Sequence, residues 1–170
     1  FVDLLAKKTR QLRHGIGCSG FDVDIGSLTT AGQLRTVQQH VEDALAKGAR
    51  IEAQSRPVGN VENGFFFPAT LLTQVTDDML TMCDETFGPL IAVQRVANEE
   101  EAIRKANDSN LALTSSVWTK DNKRGRAIAA RLQSGVTTVN DHLYSHGHSQ
   151  TPSRAWKYLG TGRTPAPSGR

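Results

Sequence analysis

Cysteine is nearly absent from this chain: Cys18 and Cys83 are the two thiols in 170 residues. Two so widely separated cysteines supply neither a disulfide framework nor a zinc site, and reduced thiols fit a cytoplasmic protein. Long apolar stretches are missing too, since no run approaches the ~20 residues that cross a bilayer. The start shows no charged segment leading into an apolar one, as a signal peptide does. The expected location is therefore cytoplasmic, with no membrane partner. Charge of one sign is also lacking. The 20 Lys and Arg are interleaved with 17 Asp and Glu, for a net charge of +3. No basic stripe carries spaced aromatics, so nucleic acid is not an expected partner. Internal repeats and coiled-coil heptads are absent.

What remains is the composition of an ordinary globular fold, 38% hydrophobic with 15 glycines, on a length that suits one domain. Residues 1–13 place Val2, Leu5 and Leu12 on one helical face before Gly15 and Gly17 break the pattern. Thr30 and Gln33 have capping-box spacing, and Leu34, Val37, Val41, Ala44 and Leu45 then recur at helical intervals as far as Gly48. Residues 50–54, 65–75 and 90–96 read as strands, the second apolar enough to be covered on both faces. Asn98 can cap a helix whose N3 residue is Glu101, with Ala102, Ile103 and Ala106 as its buried stripe. A strand at 113–119, a helix at 121–133 and a strand at 136–140 complete a β-α-β-α-β alternation. The expectation is an α/β fold with a mostly parallel twisted sheet flanked by helices. The tail, 164–170, has no packing pattern and is expected to be disordered.

The stretch richest in chemistry is Asp84-Glu85-Thr86-Phe87-Gly88-Pro89 followed by Leu90-Ile91-Ala92-Val93. A carboxylate and an aromatic ring stand beside a rigid Gly-Pro corner, a combination that reads as a ligand-gripping corner. The plain alternative makes Glu85 a solvated turn residue and Phe87 a core anchor. Asn140 closes the last strand, where α/β sheets present ligands. His142, His146 and His148 lie beyond it with Gly147 and Pro152, which marks a loop, and no carboxylate or thiolate completes a metal-ligand set. Cys18 has no neighbour in sequence that lowers a thiol pKa, and Cys83 likewise reads as structural or incidental.

Ala106-Asn107-Asp108-Ser109, Gly135-Val136-Thr137-Thr138-Val139-Asn140, Trp156-Lys157 and Gly160-Thr161-Gly162-Arg163 follow the Glu85 stretch in order. With it they make the chain resemble the NAD(P)-dependent aldehyde dehydrogenases over residues 1–163. The resemblance is to the C-terminal portion of that family's catalytic domain. It implies that Glu85 bonds the nicotinamide ribose hydroxyls and that Phe87 packs near the nicotinamide ring of NAD or NADP. Asn140, His142, Leu143, Tyr144, His146 and His148 would border the channel of an aldehyde substrate. In the family a cysteine thiolate forms a thiohemiacetal, hydride leaves, and a base-activated water hydrolyses the thioester. The nucleophile, the base and the cofactor domain lie upstream in such enzymes and are not among these residues. No catalytic residue is therefore assigned, and the chain alone is expected to be inactive. Departures from the family pattern are Ala112, Arg154, Ala155 and Leu159, where the family has glycine or serine. The family's final interface strand is not recognisable either, which sets the usual homo-oligomer in doubt. The alternative reading is a non-catalytic remnant serving as a binding or subunit-association module.

Overall fold

A computed structural model of the chain describes residues 1–17, 22–142 and 156–157. Cys18, Leu143, Tyr144, His146, His148, Arg154, Ala155, Leu159 and the tail lie outside the described residues. The fold divides into two compact units, Phe1–Arg95 and Val96–Arg170.

In the first unit the elements are α1 (Val2–Gln11), β1 (Arg13–Gly15), α2 (Ala31–Ala46), β2 (Arg50–Gln54), β3 (Arg56–Val58), β4 (Thr70–Thr73), α3 (Leu80–Cys83) and β5 (Leu90–Val93). β4 lies between β2, which it meets antiparallel, and β5, which it meets parallel; β1 and β3 form a separate parallel pair. Successive strand residues face opposite sides, and both Leu71 and Leu72 of β4 are 0% exposed, so the strand is covered above and below. On one side Leu71 joins Ala6 of α1 and Ala53 of β2; on the other Leu72 joins Ala44 of α2, Ala49, Val75 and Met79. A strand covered on both faces carries apolar residues at successive positions, as Leu71 and Leu72 do between Thr70 and Thr73.

β4 is much shorter than the stretch 65–75 suggests. Pro68 has no N–H to give to a ladder, and Gln74, with φ of +58°, turns the chain out of the strand at the other end. On α1 the buried positions are Ala6 and Thr9 with Leu5 beside them, whereas Val2 and Leu12 are only half-buried. On α2 the cap is as expected, Thr30 Oγ1 accepting the Gln33 N–H at 3.1 Å. Leu45 is nevertheless exposed, and His40 takes a buried place beside Val37, Val41 and Ala44. A second buried imidazole, His14, shares a 2.9 Å hydrogen bond between Nδ1 and Ser55 Oγ, which also accepts the Ala69 N–H at 2.8 Å.

The second unit holds α4 (Glu99–Asn107), β6 (Leu111–Ala112), β7 (Thr114–Val117), α5 (Asn122–Ala129), β8 (Val136–Val139) and β9 (Trp156–Lys157). β7 and β8 run parallel on either side of α5 in sequence, and β6 pairs antiparallel with β9. Asn98 Oδ1 accepts the Glu101 N–H at 2.9 Å while Glu101 Oε2 accepts the Ala97 N–H at 2.7 Å, so the start of α4 is capped from both directions. Ile103 is buried but Ala106 is exposed, which narrows the expected stripe to Ile103 and half-buried Ala102. α5 ends before residue 133 in tight turns, the Arg131 N–H donating to the Ile128 carbonyl and the Leu132 N–H to the Ala129 carbonyl.

Gly125 lets α5 approach β8: a Cβ there would lie 2.7 Å from Val139 Cγ1 and 2.9 Å from Thr119 Cγ2. Helix propensity alone favours Ala over Gly by roughly 1 kcal/mol, but overpacking costs about 1–3 kcal/mol. Gly125→Ala is expected to lower the thermal midpoint, whereas Gly32→Ala on α2, where a Cβ meets nothing closer than 3.7 Å, is expected to raise it. Calorimetry on the two variants checks the opposite signs.

Burial lowers the His14 pKa from its ordinary value of 6.5. The folded state therefore prefers the neutral ring. Below pH 6.5 the unfolded chain takes up a proton that the folded chain resists, and stability falls with pH through that window. Urea midpoints at pH 7.5 and 5.5 should differ in that direction, and His14→Asn should shrink the difference.

Candidate functional site

Glu85 and Phe87 stand on the loop between α3 and β5, and α2 holds that loop. The Asp43 carboxylate Oδ2 accepts the Leu80 N–H at 2.8 Å, capping α3 where its own N-cap Met79 provides no side-chain bond. His40 Nδ1 lies 2.9 Å from Thr86 Oγ1, and the Gln33 side-chain amide donates to the Phe87 carbonyl. Gly88 packs directly on Val37, and the Pro89 carbonyl accepts the Thr70 N–H at 2.8 Å, tying the loop to β4. Inward and outward side chains alternate. Thr86 is half-buried, while Glu85 is exposed and Phe87 is 72% exposed.

Two features mark this loop as more than a connection. Phe87 adopts φ of +45°, a left-handed conformation that bulky residues rarely take. Its ring also forgoes burial worth roughly 1.5–3 kcal/mol. The Glu85 carboxylate has no partner among the described residues. An unpartnered carboxylate accepts two hydroxyl hydrogen bonds, and an uncovered ring offers a face or edge to another flat ring.

Beside the loop, the Leu80 N–H and then the Lys47 ammonium hold Asp43 below the usual carboxylate range. Lys47 Nζ lies 2.9 Å from Asp43 Oδ1 and donates to the Asp78 carbonyl at 2.6 Å. The Asp43 charge is thus paired on the anchoring side of the loop. Cys83 is exposed, its thiol donating to the Asp77 carbonyl at 3.0 Å.

In the second unit Asn140 is committed to backbone geometry. With φ of +56° it ends β8, a conformation Asn tolerates. Its Oδ1 accepts the Thr119 N–H at 2.8 Å, and its Nδ2 donates to the Thr119 carbonyl at 2.8 Å and to Asn122 Oδ1 at 3.1 Å. The amide is therefore a brace between the ends of β7 and β8 and the start of α5. Ser116 Oγ and Thr138 Oγ1 donate to the Asp141 carbonyl at 2.5 and 2.7 Å. His142 follows, exposed, its N–H bonded to Asp141 Oδ1 at 2.6 Å. Asn140 and His142 thus share one strand end, as Glu85 and Phe87 share one loop. Among the described residues no group of three or more His, Cys, Asp or Glu could hold a metal ion, and no helix is long and apolar enough to cross a membrane.

Sequence reasoning missed Gln33, His40 and Asp43. Polar side chains beside Val37 at helical spacing were the available signal, but the loop they grip lies 46 residues from His40 and 54 from Gln33. Lys157 carries a role that only the structure displays: its ammonium donates at 2.6 Å to the carbonyls of both Asn107 and Ser109, closing the end of α4.

The model of the aldehyde dehydrogenase family matches residues 1–169. A Mycobacterium ulcerans (strain Agy99) protein provisionally named succinate-semialdehyde dehydrogenase (NADP(+)) 2 is 43% identical over 150 residues, 88% of this chain and 29% of that protein. The 4,4'-diapolycopene aldehyde oxidase of Methylomonas sp is 37% identical over 163 residues, 96% of this chain and 29% of that protein. Among solved structures, betaine aldehyde dehydrogenase from Staphylococcus aureus in complex with NAD+ has a TM-score of 0.87 at 29% identity, covering 98% of this chain and 33% of that one. A mutant aldehyde dehydrogenase from Bacillus cereus has a TM-score of 0.87 at 31% identity, with 98% and 33% covered. The chain spans about 29% of the length of the curated relatives it matches.

The Gly88 contact can be tested by size exchange. A Cβ at Gly88 would lie 2.3 Å from Val37 Cγ2, on a side chain that is 0% exposed. Gly88→Ala is expected to cost about 1–3 kcal/mol, and combined with Val37→Ala the two should cost less than the sum of the singles. Denaturant titration of the four proteins measures that coupling.

Proposed function

Because this chain belongs to the aldehyde dehydrogenase family, we propose that it forms the C-terminal portion of the catalytic domain of a cytoplasmic enzyme oxidising an aldehyde to a carboxylic acid with NAD+ or NADP+. Its contribution is binding and shaping. Glu85 holds the two hydroxyls of the nicotinamide ribose, Phe87 covers the ring and excludes water beside it, and the strand end at Asn140 and His142 borders the approach of the aldehyde. When bound, the nicotinamide accepts the hydride. These 170 residues alone catalyse nothing, since nucleophile and base come from another part of the polypeptide in enzymes of this kind.

One observation carries the reading: Glu85 and Phe87 project, unpartnered and exposed, from a loop whose backbone is fastened on its other side. The two nicotinamide coenzymes in the names of the relatives support the same cofactor class. Semialdehydes and betaine aldehyde, named for those relatives, are the first substrates to try.

The test joins this chain to the preceding part of a solved relative, so that one polypeptide holds both halves of the site. Glu85→Gln removes a charge-assisted hydrogen bond and is expected to raise KM for the coenzyme about tenfold, the equivalent of roughly 1.4 kcal/mol, with KM for the aldehyde little changed. An unchanged coenzyme KM sinks the role of Glu85. Steady NAD(P)H formation by the isolated chain with any aldehyde sinks the claim that it is inactive alone.

A further inference from the structure

We propose that α2 is the rail that sets the coenzyme-facing loop, and that His40 is its positioning residue; the proposal rests on the reading of Glu85 and Phe87 as coenzyme contacts. Gln33, Val37, His40 and Asp43 follow one another at steps of four and three along α2, which places them on one stripe of the helix. Read from the C-terminal end of that stripe, Asp43 takes the Leu80 N–H, His40 takes Thr86, Val37 receives Gly88 and Gln33 binds the Phe87 carbonyl. A 16-residue helix thereby follows the chain from α3 to the Gly-Pro corner.

Of these four contacts, the one at His40 decides which side chains face outward. Gln33 and Asp43 hold backbone atoms and Val37 meets a glycine. His40 alone holds a side chain, that of the residue between Glu85 and Phe87. With Thr86 fixed towards α2, the residues on either side of it, Glu85 and Phe87 at positive φ, are the exposed ones. His40 itself is 5% exposed. A buried imidazole needs a hydrogen-bond partner, so the contact satisfies both members. An aliphatic residue would fill the same space, but it would leave Thr86 free to rotate outward and compete for the ligand side of the loop. His40 touches neither coenzyme nor substrate in this account and acts only through Thr86.

The experiment is amide hydrogen exchange on the full chain with His40→Ala, His40→Asn, Thr86→Val and Thr86→Ser. Asn places a polar atom near the position of Nδ1, and Ser retains the hydroxyl. His40→Ala and Thr86→Val are each expected to speed exchange across residues 85–90 about tenfold while β4 and α1 keep wild-type rates, and the Asn and Ser variants should return the loop to within about twofold of wild type. The double variant His40→Ala with Thr86→Val should be no looser than either single. Thr86 is half-buried, so Thr86→Val reports even where His40→Ala fails to fold. Unchanged loop exchange in Thr86→Val, or loosening spread evenly over α1, α2 and β4 without rescue by Asn, overturns the proposal. Glu85→Gln leaves the rail intact and should exchange like wild type. A null effect of that variant on coenzyme KM therefore rejects the coenzyme reading separately from the exchange result.

Discussion

The burial of β4 on both faces is the constraint on which the first unit depends. Leu71 and Leu72 are adjacent, point opposite ways and are both 0% exposed, so neither α1 nor α2 can be dispensed with. Each leucine stabilises the fold by roughly 1.5–3 kcal/mol only while its covering helix is in place. Ala6 fills the space over Leu71 and Ala44 the space over Leu72. Small residues at both points let the helices approach the strand closely. Once α2 is pinned through Ala44, the stripe alongside, from Gln33 to Asp43, has no choice of neighbour. It meets the segment that leaves α3, and the loop inherits its place from the core.

That inheritance explains how the chain sustains a costly loop. A bulky residue at positive φ costs on the order of 1–3 kcal/mol, and the exposed Phe87 ring adds surface that a free chain would rather bury. Against this stand the hydrogen bonds from Gln33 and His40, each contributing about 1 kcal/mol net, and the close fit of Gly88 on Val37. Strain and restraint are of similar size.

How much of this can be read without coordinates depends on the distance over which each signal acts. The caps at Thr30 and Asn98 act over three residues, and both were legible. The Glu85 to Pro89 motif is also local, and the strand that follows it at Leu90 was legible, whereas the one-turn helix α3 before it was not. The extent of β4 was misread because hydrophobicity alone extends it to Phe65, whereas Pro68 denies the ladder a donor. Ala106 was misplaced because alanine fits buried and exposed helix faces alike. The polar stripe of α2 could not be assigned a role, since its meaning lies in a contact with a segment some fifty residues away. The departures around Arg154 and Leu159 fall outside the described residues and add nothing to the balance.

The second unit shows the same division between what restrains and what is presented. Arg124 pairs with Glu99 at 2.7 Å, and Arg131 with Glu100, yet both arginines are exposed, and surface pairs of this kind contribute about 0–1 kcal/mol. The approach of α5 to β8 through buried Gly125 acts where solvent cannot compete as freely, and the exposed amide at Asn140 braces the strand end by three hydrogen bonds at once. With three hydrogen bonds already made, the Asn140 side chain has little capacity left for a ligand. Its role is then that of a hinge post: it fixes the direction in which the chain leaves β8, and the carbonyl of Asp141, held by Ser116 and Thr138, carries that direction forward to His142. Replacing Asn140 therefore alters the path of the chain through Asp141 to His142.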